Sequence, residues 1–494
     1  MTEPRTAFDT APRLALWTGV SDLETPVAAF IKLANGQPNS FLLESIEGGQ
    51  ARGRFSVIGM APDLIWRCRG GVAEVNRHAR AAPHAFVADP RPALDSLRAL
   101  IAETRMVLPR GTPPMIGGLF GYLGYDMVRL MERLPGTTGD DLGLPEAMLL
   151  RPTLFAVFDN VRDELTLAAP VYPADGVDPD AAWDDAQLRL AGARAALERP
   201  LPHAAPPVAL PPQPEPQANM SHAAFLGIVA RMKEYIAAGD AFQIVPSQRF
   251  SAPFALPPFA LYRALRRINP APFLFFLDFG PFAVVGSSPE ILVRLRGGLV
   301  TLRPLAGTRP RGSTPEEDLM LEAELLADPK ERAEHLMLLD LGRNDVGRVC
   351  EPGSVRVLES FAIERFSHVM HISSTVEGRI RPGIDALDAL IAGFPAGTLS
   401  GAPKIRAMQI IDELEPVRRG IYAGCIGYFA PDGTMDTCIG LRTAIVADGV
   451  MHVQAGCGVV ADSVPESEYQ ETRQKSRALF RAAEEAVRFA AGGS

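Results

Sequence analysis

Four glutamates stand out by spacing. Glu331 and Glu334 lie three residues apart, as do Glu468 and Glu471. On a helix, each pair projects from one face. Two such faces brought together would offer several carboxylate oxygens, the ligand set of a hard cation such as Mg²⁺. Glutamates at this spacing are also commonplace on solvated helices. Lys475, four residues after Glu471, fits an ordinary i,i+4 ion pair as well as a cation aimed into a site.

Three loops could also carry chemistry. PLAGTRPRG, residues 304–312, sets Thr308, Arg309 and Arg311 beside Gly307 and Gly312. Hydroxyl and guanidinium groups on flexible backbone suit a carboxylate or phosphate, although the spacing is not that of a P-loop and an ordinary basic turn is the plainer reading. GTLSGAPK, residues 397–404, leads into a helix whose first amides could attract an anion; a well-capped helix without a ligand is the plainer reading. In AGCGVV, Gly456 and Gly458 adjoin Cys457 directly, so the Gly-x-Cys-x-Gly spacing of a nucleophile elbow is missing. Cys457 is assigned to packing, and the glycines to close backbone approach. His368 and His371 alternate along a strand-like segment, which predicts opposite faces, one His structural and one facing a site.

The elements that would position these groups can be read from periodicity. Phe225 to Ile236 has helical spacing after Ser221, a plausible N-cap. The patterns predict one long helix over 315–341, a second over 400–414 capped by Ser400, and a closing helix over 465–489. Strands are expected at 273–279 and 282–285, then at 422–429, 438–446 and 451–460 with Asp-Gly turns. Hairpins with separate helices indicate an α+β fold of mainly antiparallel sheets. Residues 200–216 hold eight prolines, which excludes helix and central strand there. The chain divides accordingly into an N-terminal region 1–199, a Pro-rich linker or excursion 200–218, and a region 219–494 that carries most of the distinctive segments.

Composition narrows the function classes. In 494 residues, 49 Lys and Arg face 58 Asp and Glu, a net charge of -9. That balance disfavours a general nucleic-acid binder. No apolar run reaches the ~18 residues of a membrane span, and MTEPRTAFDT does not read as a secretory signal. Five scattered cysteines without a Cys-x-x-Cys pair suggest reduced thiols in a cytoplasmic protein. Only five of the 49 basic residues are lysines.

Taken together, FQIVPSQRF, GSSPEILVRL, RPLAGTR, the 316–349 segment, FPAGTLSGAPKIRAM, YAGCIGYF, DTCIGLRTA and AGCGVVADSVPESEYQETRQK resemble the chorismate-utilising enzymes, anthranilate synthase component I in particular. The resemblance covers most of the chain. It implies a four-layer α/β/β/α sandwich, chorismate as substrate, Mg²⁺ as cofactor, and anthranilate and pyruvate as products. It assigns Glu331, Glu334, Glu468 and Glu471 to the metal. Tyr422 and Arg442 would hold the enolpyruvyl carboxylate. Ala306, Gly307, Thr308, the Gly456–Cys457–Gly458 backbone and Lys475 would surround the ring. Glu290 matches the family's general acid, which must hold its proton near neutrality, and His371 matches the residue of the elimination step. Gln243 stands where isochorismate synthases carry a water-activating lysine, and Ala306 where aminodeoxychorismate synthases generally carry a lysine nucleophile. Both point to direct addition of ammonia. A glutamine amidotransferase subunit, in a heterotetramer, would supply that ammonia. Rival readings are aminodeoxychorismate synthase component I and an inactive amino-acid sensor on the same fold.

The resemblance also implies feedback inhibition by L-tryptophan. Its pocket would use Glu44 and Ser45 of FLLES, Ser56, Pro270, Phe273, Leu274, Gly427, Tyr428, Asp436 and Cys438.

Overall fold

The structure is a computed structural model and describes residues 12–47, 51–172, 177–202, 214–366 and 369–491. His368 and residues 203–213 of the proline-rich stretch lie outside the described residues. Gln217–Ala218, at the end of that stretch, form a short strand against Phe250 and Ser251.

Among the described residues, antiparallel pairing joins 21 strands into one continuous hydrogen-bonded network. The two halves of the chain interleave within it. Ser40–Glu47 pairs with Phe273–Asp278, and Leu119–Leu123 pairs with Cys425–Phe429.

Period-2 alternation then builds the layers. In Phe273–Asp278, Leu274 and Phe276 face one core, while Phe275 and Leu277 face another. In Leu119–Leu123, Phe120 and Tyr122 face the second core, while Leu119 and Leu123 face a third. The middle core is lined by strand residues such as Phe41, Phe155 and Val284. One outer core is closed by helices Pro26–Ala34, Pro179–Leu197, Pro258–Ile268 and Pro465–Ala490. The other is closed by Ala93–Glu103, Ala386–Gly393 and Lys404–Leu414. Helix, sheet, sheet, helix is the four-layer α+β sandwich. Ser221 caps helix His222–Ala237 by accepting from the Ala224 N–H, as the spacing indicates.

Three expected elements differ. The 315–341 stretch is two helices, Pro315–Ala327 and Pro329–Gly347. Asp328 accepts from the Lys330 and Glu331 amides and starts the second helix, and Pro329 has no N–H to continue the first. Glu331 and Glu334 therefore sit in the opening turns of a new helix. Ser400 is not the cap of Lys404–Leu414. It lies in a short preceding turn, Gly397–Ser400, and Pro403 holds the cap position. Gly401–Ala402 between them pairs with Gln243–Ile244.

The 422–460 region holds four strands: Cys425–Phe429, Met435–Ile439, Thr443–Ala447 and Val450–Gly456. The expected 438–446 strand is broken because Arg442 has a left-handed φ of 48°. Tyr422 precedes its strand. Both side chains sit at turns, where they are free of the ladder.

Candidate active site

Glu290 lies between the strands Phe282–Ser288 and Ile291–Arg296 and is 6% exposed. Its Oε1 accepts from Thr398 Oγ1 at 3.1 Å and from the Leu305 N–H at 3.4 Å. Burial pushes its pKa up to about 8, against the pull of those two donors and of Arg442. A carboxyl in this state keeps its proton at neutral pH.

Arg442 feels that carboxyl, but its guanidinium makes no hydrogen bond or close ion pair among the described residues. Burial lowers its pKa. An uncompensated, desolvated guanidinium is costly unless an anion completes it. Its left-handed backbone adds strain of the kind that collects at functional sites.

His371 stands on Val369–Arg379, opposite Thr308 in the register. Its Nδ1 lies 2.9 Å from the Gly307 carbonyl and 3.1 Å from Thr308 Oγ1. A carbonyl can only accept, so Nδ1 carries the hydrogen and Nε2 keeps its lone pair. Burial, with Arg442 nearby, pushes the imidazole down to about 4. It is therefore a neutral, proton-accepting ring at pH 7.

A second group gathers around Gln243. Its Nε2 donates to Glu334 Oε1 at 2.9 Å, and its Oε1 is buried without a partner. A Cβ on Gly458 would meet Gln243 Nε2 at 2.7 Å, and one on Gly456 would meet the Tyr422 hydroxyl at 2.7 Å. The glycines are thus needed for close approach. Cys457, between them, is buried with its pKa raised well above the ordinary value by burial. It stays a thiol, which suits packing. Tyr422 is buried, and its ring lies under the Arg419 guanidinium, 5.7 Å from centroid to Cζ.

The two glutamate pairs face each other across this space. Burial raises Glu334, with Glu331 and Glu471 adding like-charge repulsion. Burial also raises Glu468, again with Glu471 adding repulsion. Glu468 Oε2 is buried without a hydrogen-bond partner. Glu331 is held by Arg309 at 3.4 Å. Lys475 reaches Glu471 at 2.7 Å and donates to the Gly456 carbonyl at 3.1 Å, so it makes the i,i+4 pair and also points into the site. Among the described residues, no three His, Cys, Asp or Glu side chains are gathered closely enough to grip an ion as they stand. Repelling, desolvated carboxylates with an orphaned oxygen nevertheless fit a divalent cation.

Two of the loops resolve to the plainer of their two readings. Arg309 and Arg311 are not open to an anionic ligand. Arg309 is spent on Glu324, Asp328 and Glu331, and Arg311 on Asp318. Lys404 of the GTLSGAPK loop is buried against Asp345 at 2.7 Å. His335 is buried and bonded to Ser374 at 2.6 Å.

Glu44, Ser45, Phe273, Leu274, Gly427, Tyr428, Asp436 and Cys438 line one cavity of about 490 Å³. Ser56 and Pro270 do not line it. Ser56, the strand partner of Glu44, is reached by Asn160 Nδ2 at 3.4 Å, while Phe55 and Pro272 are in the wall. Three buried polar atoms of residues lining this cavity lack hydrogen-bond partners: Asp436 Oδ1, Arg303 Nε and Glu364 Oε2. Sequence reasoning missed Thr398, Arg303, Glu364 and the buried Arg419–Glu415 pair at 2.6 Å. Arg419 and Glu415 also bind the Val245 carbonyl and the Ser247 amide beside Gln243, and nothing local in the sequence marks them.

Residues 38–481 match the family described as chorismate binding enzyme. The chain is 56% identical over 470 residues to anthranilate synthase component 1 of Cereibacter sphaeroides, covering 95% of this chain and 94% of that one. It is 50% identical to the Thermus thermophilus protein of the same name, covering 94% and 97%. Anthranilate synthase component I from Streptococcus pneumoniae superposes with a TM-score of 0.76 at 36% identity, over 93% of this chain and 98% of that one. The menaquinone-specific isochorismate synthase of Escherichia coli shares the fold, with a TM-score of 0.71 at 20% identity, over 96% and 95%. The chain belongs to the chorismate-binding enzymes, in their anthranilate synthase component 1 branch, and is an enzyme that acts on chorismate.

Proposed function

We propose that this enzyme converts chorismate and ammonia to anthranilate, pyruvate and water, as the first step of tryptophan biosynthesis. The observation that carries the reading is the burial of Glu290, which pushes its pKa up to about 8, with Arg442 near enough to act on it. A dianionic enolpyruvyl ether with a poor hydroxyl leaving group calls for that combination.

Arg442 and Tyr422 hold the enolpyruvyl carboxylate, by planar guanidinium recognition and a phenol hydrogen bond. Ala306, Gly307 and Thr308 flank the ring. The glycine-lined backbone and Lys475 take its carboxylate end. Glu331, Glu334, Glu468 and Glu471 would hold Mg²⁺, which when bound neutralises and orients the ring carboxylate.

Glu290 gives its proton to the C4 hydroxyl, which leaves as water while ammonia bonds to C2 and the ring double bonds shift. The orphaned Gln243 Oε1 is an acceptor for an N–H of that ammonia. Gln243 has no basic nitrogen to activate water, and Ala306 offers no nucleophile. His371 Nε2 then accepts the C2 proton. The C–O bond to the enolpyruvyl group breaks with its electron pair, the ring aromatises, the departing enolate takes up a proton at its methylene carbon to become pyruvate, and the added nitrogen loses its surplus proton to solvent.

The chain itself carries no recognisable glutaminase segment, so glutamine-derived ammonia would come from a partner amidotransferase subunit, in a cytoplasmic heterotetramer. Buried, unpaired thiols suit that compartment. The 490 Å³ cavity would take tryptophan as feedback inhibitor, with Asp436 Oδ1 for the ammonium group and aromatic walls for the indole.

Incubation with chorismate, Mg²⁺ and ammonium should give fluorescent anthranilate. Isochorismate or aminodeoxychorismate as product would refute the assignment. Tryptophan binding without any turnover would leave only a sensor.

A further inference from the structure

The wall between the 490 Å³ cavity and the acid carboxyl is one residue thick. Pro289 and Ile291 line the cavity, and Glu290 lies between them. Ile291 and Arg303 also line a second, small cavity of about 30 Å³, shared with Glu290 and Thr398. Two residues beyond Arg303, the Leu305 N–H reaches Glu290 Oε1. Glu364 closes the same part of the large cavity. On its strand, Arg356–Arg365, it stands directly opposite His371, so the two side chains share a face.

Arg303 and Glu364 are paired loosely. Nη1 donates to Oε1 at 3.3 Å, and Nη2 approaches Oε2 at 3.3 Å and Glu359 at 3.7 Å. Arg303 Nε and Glu364 Oε2 remain buried without a hydrogen-bond partner. The other arginines on this wall are better satisfied. Arg294 and Arg296 hold Asp436 at 3.0 and 2.7 Å. A carboxylate entering the cavity would therefore find Arg303 the least committed cation. The groups that act on Glu290 are Arg442, Glu364, Thr398 and the Leu305 amide. Those that act on Glu364 are Arg303 and Glu359, with the neutral His371 across the strand pair.

We propose that the Arg303–Glu364 pair couples the cavity to the acid: a ligand carboxylate draws Arg303 off Glu364, and the uncompensated Glu364 charge makes Glu290 a poorer proton donor. Inhibition by a zwitterionic amino acid then travels through one ion pair. The inference rests on the readings of Glu290 as acid and of the cavity as an amino-acid site.

The test is the alkaline limb of kcat/KM for chorismate in the full chain, at constant, saturating free ammonia. Arg303→Gln leaves Glu364 uncompensated and should move the limb up by about half a pH unit. Glu364→Gln should move it down by a similar amount. The double variant should return near wild type, and so should Glu364→Asp, which keeps the charge. In Glu364→Gln, tryptophan should still bind by calorimetry while inhibiting several-fold less. Limbs that stay put, that move the same way in both single variants, or that remain shifted in Glu364→Asp would overturn the coupling. Glu290→Gln separates the layers. If it is inactive while the limbs do not move, the acid reading stands and the coupling falls. If it turns over normally, the acid reading falls and the coupling with it.

Discussion

Replacing Glu290 with Gln should make the protein more stable and nearly inactive, with the two effects governed by the same proton. Burial raises the Glu290 carboxyl from 4.5 to about 8. At about 1.4 kcal/mol per pH unit, that gap is roughly 5 kcal/mol of stability given up at alkaline pH. The folded-state value is the higher one, so the unfolded chain ionises first. Between about 4.5 and 8, the folded state holds one more proton, and stability falls as pH rises through that window. Below it there is no penalty, and above it the penalty is constant. Glutamine cannot ionise and escapes this cost. Its oxygen can still accept from Thr398, but its NH₂ must find an acceptor, a loss of about 1–3 kcal/mol if it does not. The net gain expected at pH 8.5 is about 2–4 kcal/mol. Urea unfolding of both proteins from pH 5 to 9 measures it, and the difference between their curves should open with pH. Anthranilate formation should fall by about 10²- to 10⁴-fold, the usual worth of a positioned general acid. In the wild type, kcat/KM should drop about tenfold per unit above the Glu290 pKa. A stability difference that does not grow between pH 5 and 8.5 would mean that the folded carboxyl ionises freely, and the acid assignment would lose its physical basis.

Three further perturbations follow from the same geometry. Arg442→Gln removes a half-buried cation that makes no side-chain hydrogen bond among the described residues, so the KM for chorismate should rise about 10- to 100-fold; an unchanged KM would place the substrate carboxylate elsewhere. Glu468→Gln removes a carboxylate with an orphaned oxygen, so half-maximal activity should need about tenfold or more Mg²⁺, read by metal titration of the rate and by calorimetry of Mg²⁺ binding. Ser45→Phe puts a ring into the 490 Å³ cavity and should relieve tryptophan inhibition while leaving anthranilate formation largely intact; unchanged inhibition would move the regulatory site.

What could be read in the chain follows how local each signal is. The glutamate pairs, the Glu290 and His371 motifs and the Gly456–Gly458 cradle lie in short segments, and the apolar runs on either side of Gly280–Pro281 fold as the two expected strands, Phe273–Asp278 and Phe282–Ser288. Local signals fall short where a distant partner decides. The 304–312 loop left an anion site and an ordinary basic turn both open because the partners of Arg309 and Arg311, namely Glu324, Asp328, Glu331 and Asp318, come from the segment that follows. The 315–341 break was legible in principle, since Asp-Pro is a helix start, but the apolar pattern runs across it. Ser56 is the strand partner of Glu44, so the register places it on the same face as a residue of the cavity wall, beside Phe55, which lines the cavity.

Arg303 and Glu364 show why some functional residues have no sequence signature at all. Each is an ordinary charge at a strand edge, and neither belongs to a spacing pattern. Their meaning comes from a sandwich in which strands of both chain halves meet, so that one cavity is bounded by Glu44 from the N-terminal half and by Pro289, Ile291, Arg303 and Glu364 from the C-terminal half. Glu290 sits between two of those residues, within reach of the carboxylate behind them. In such a construction, the acid must be kept desolvated to hold its proton, and the same thin, dry wall leaves it sensitive to any change in charge on the far side. Catalytic pKa tuning and regulation of the acid are then two consequences of one packing arrangement. A substitution that thickens or hydrates the wall at Pro289 or Ile291 should weaken both together.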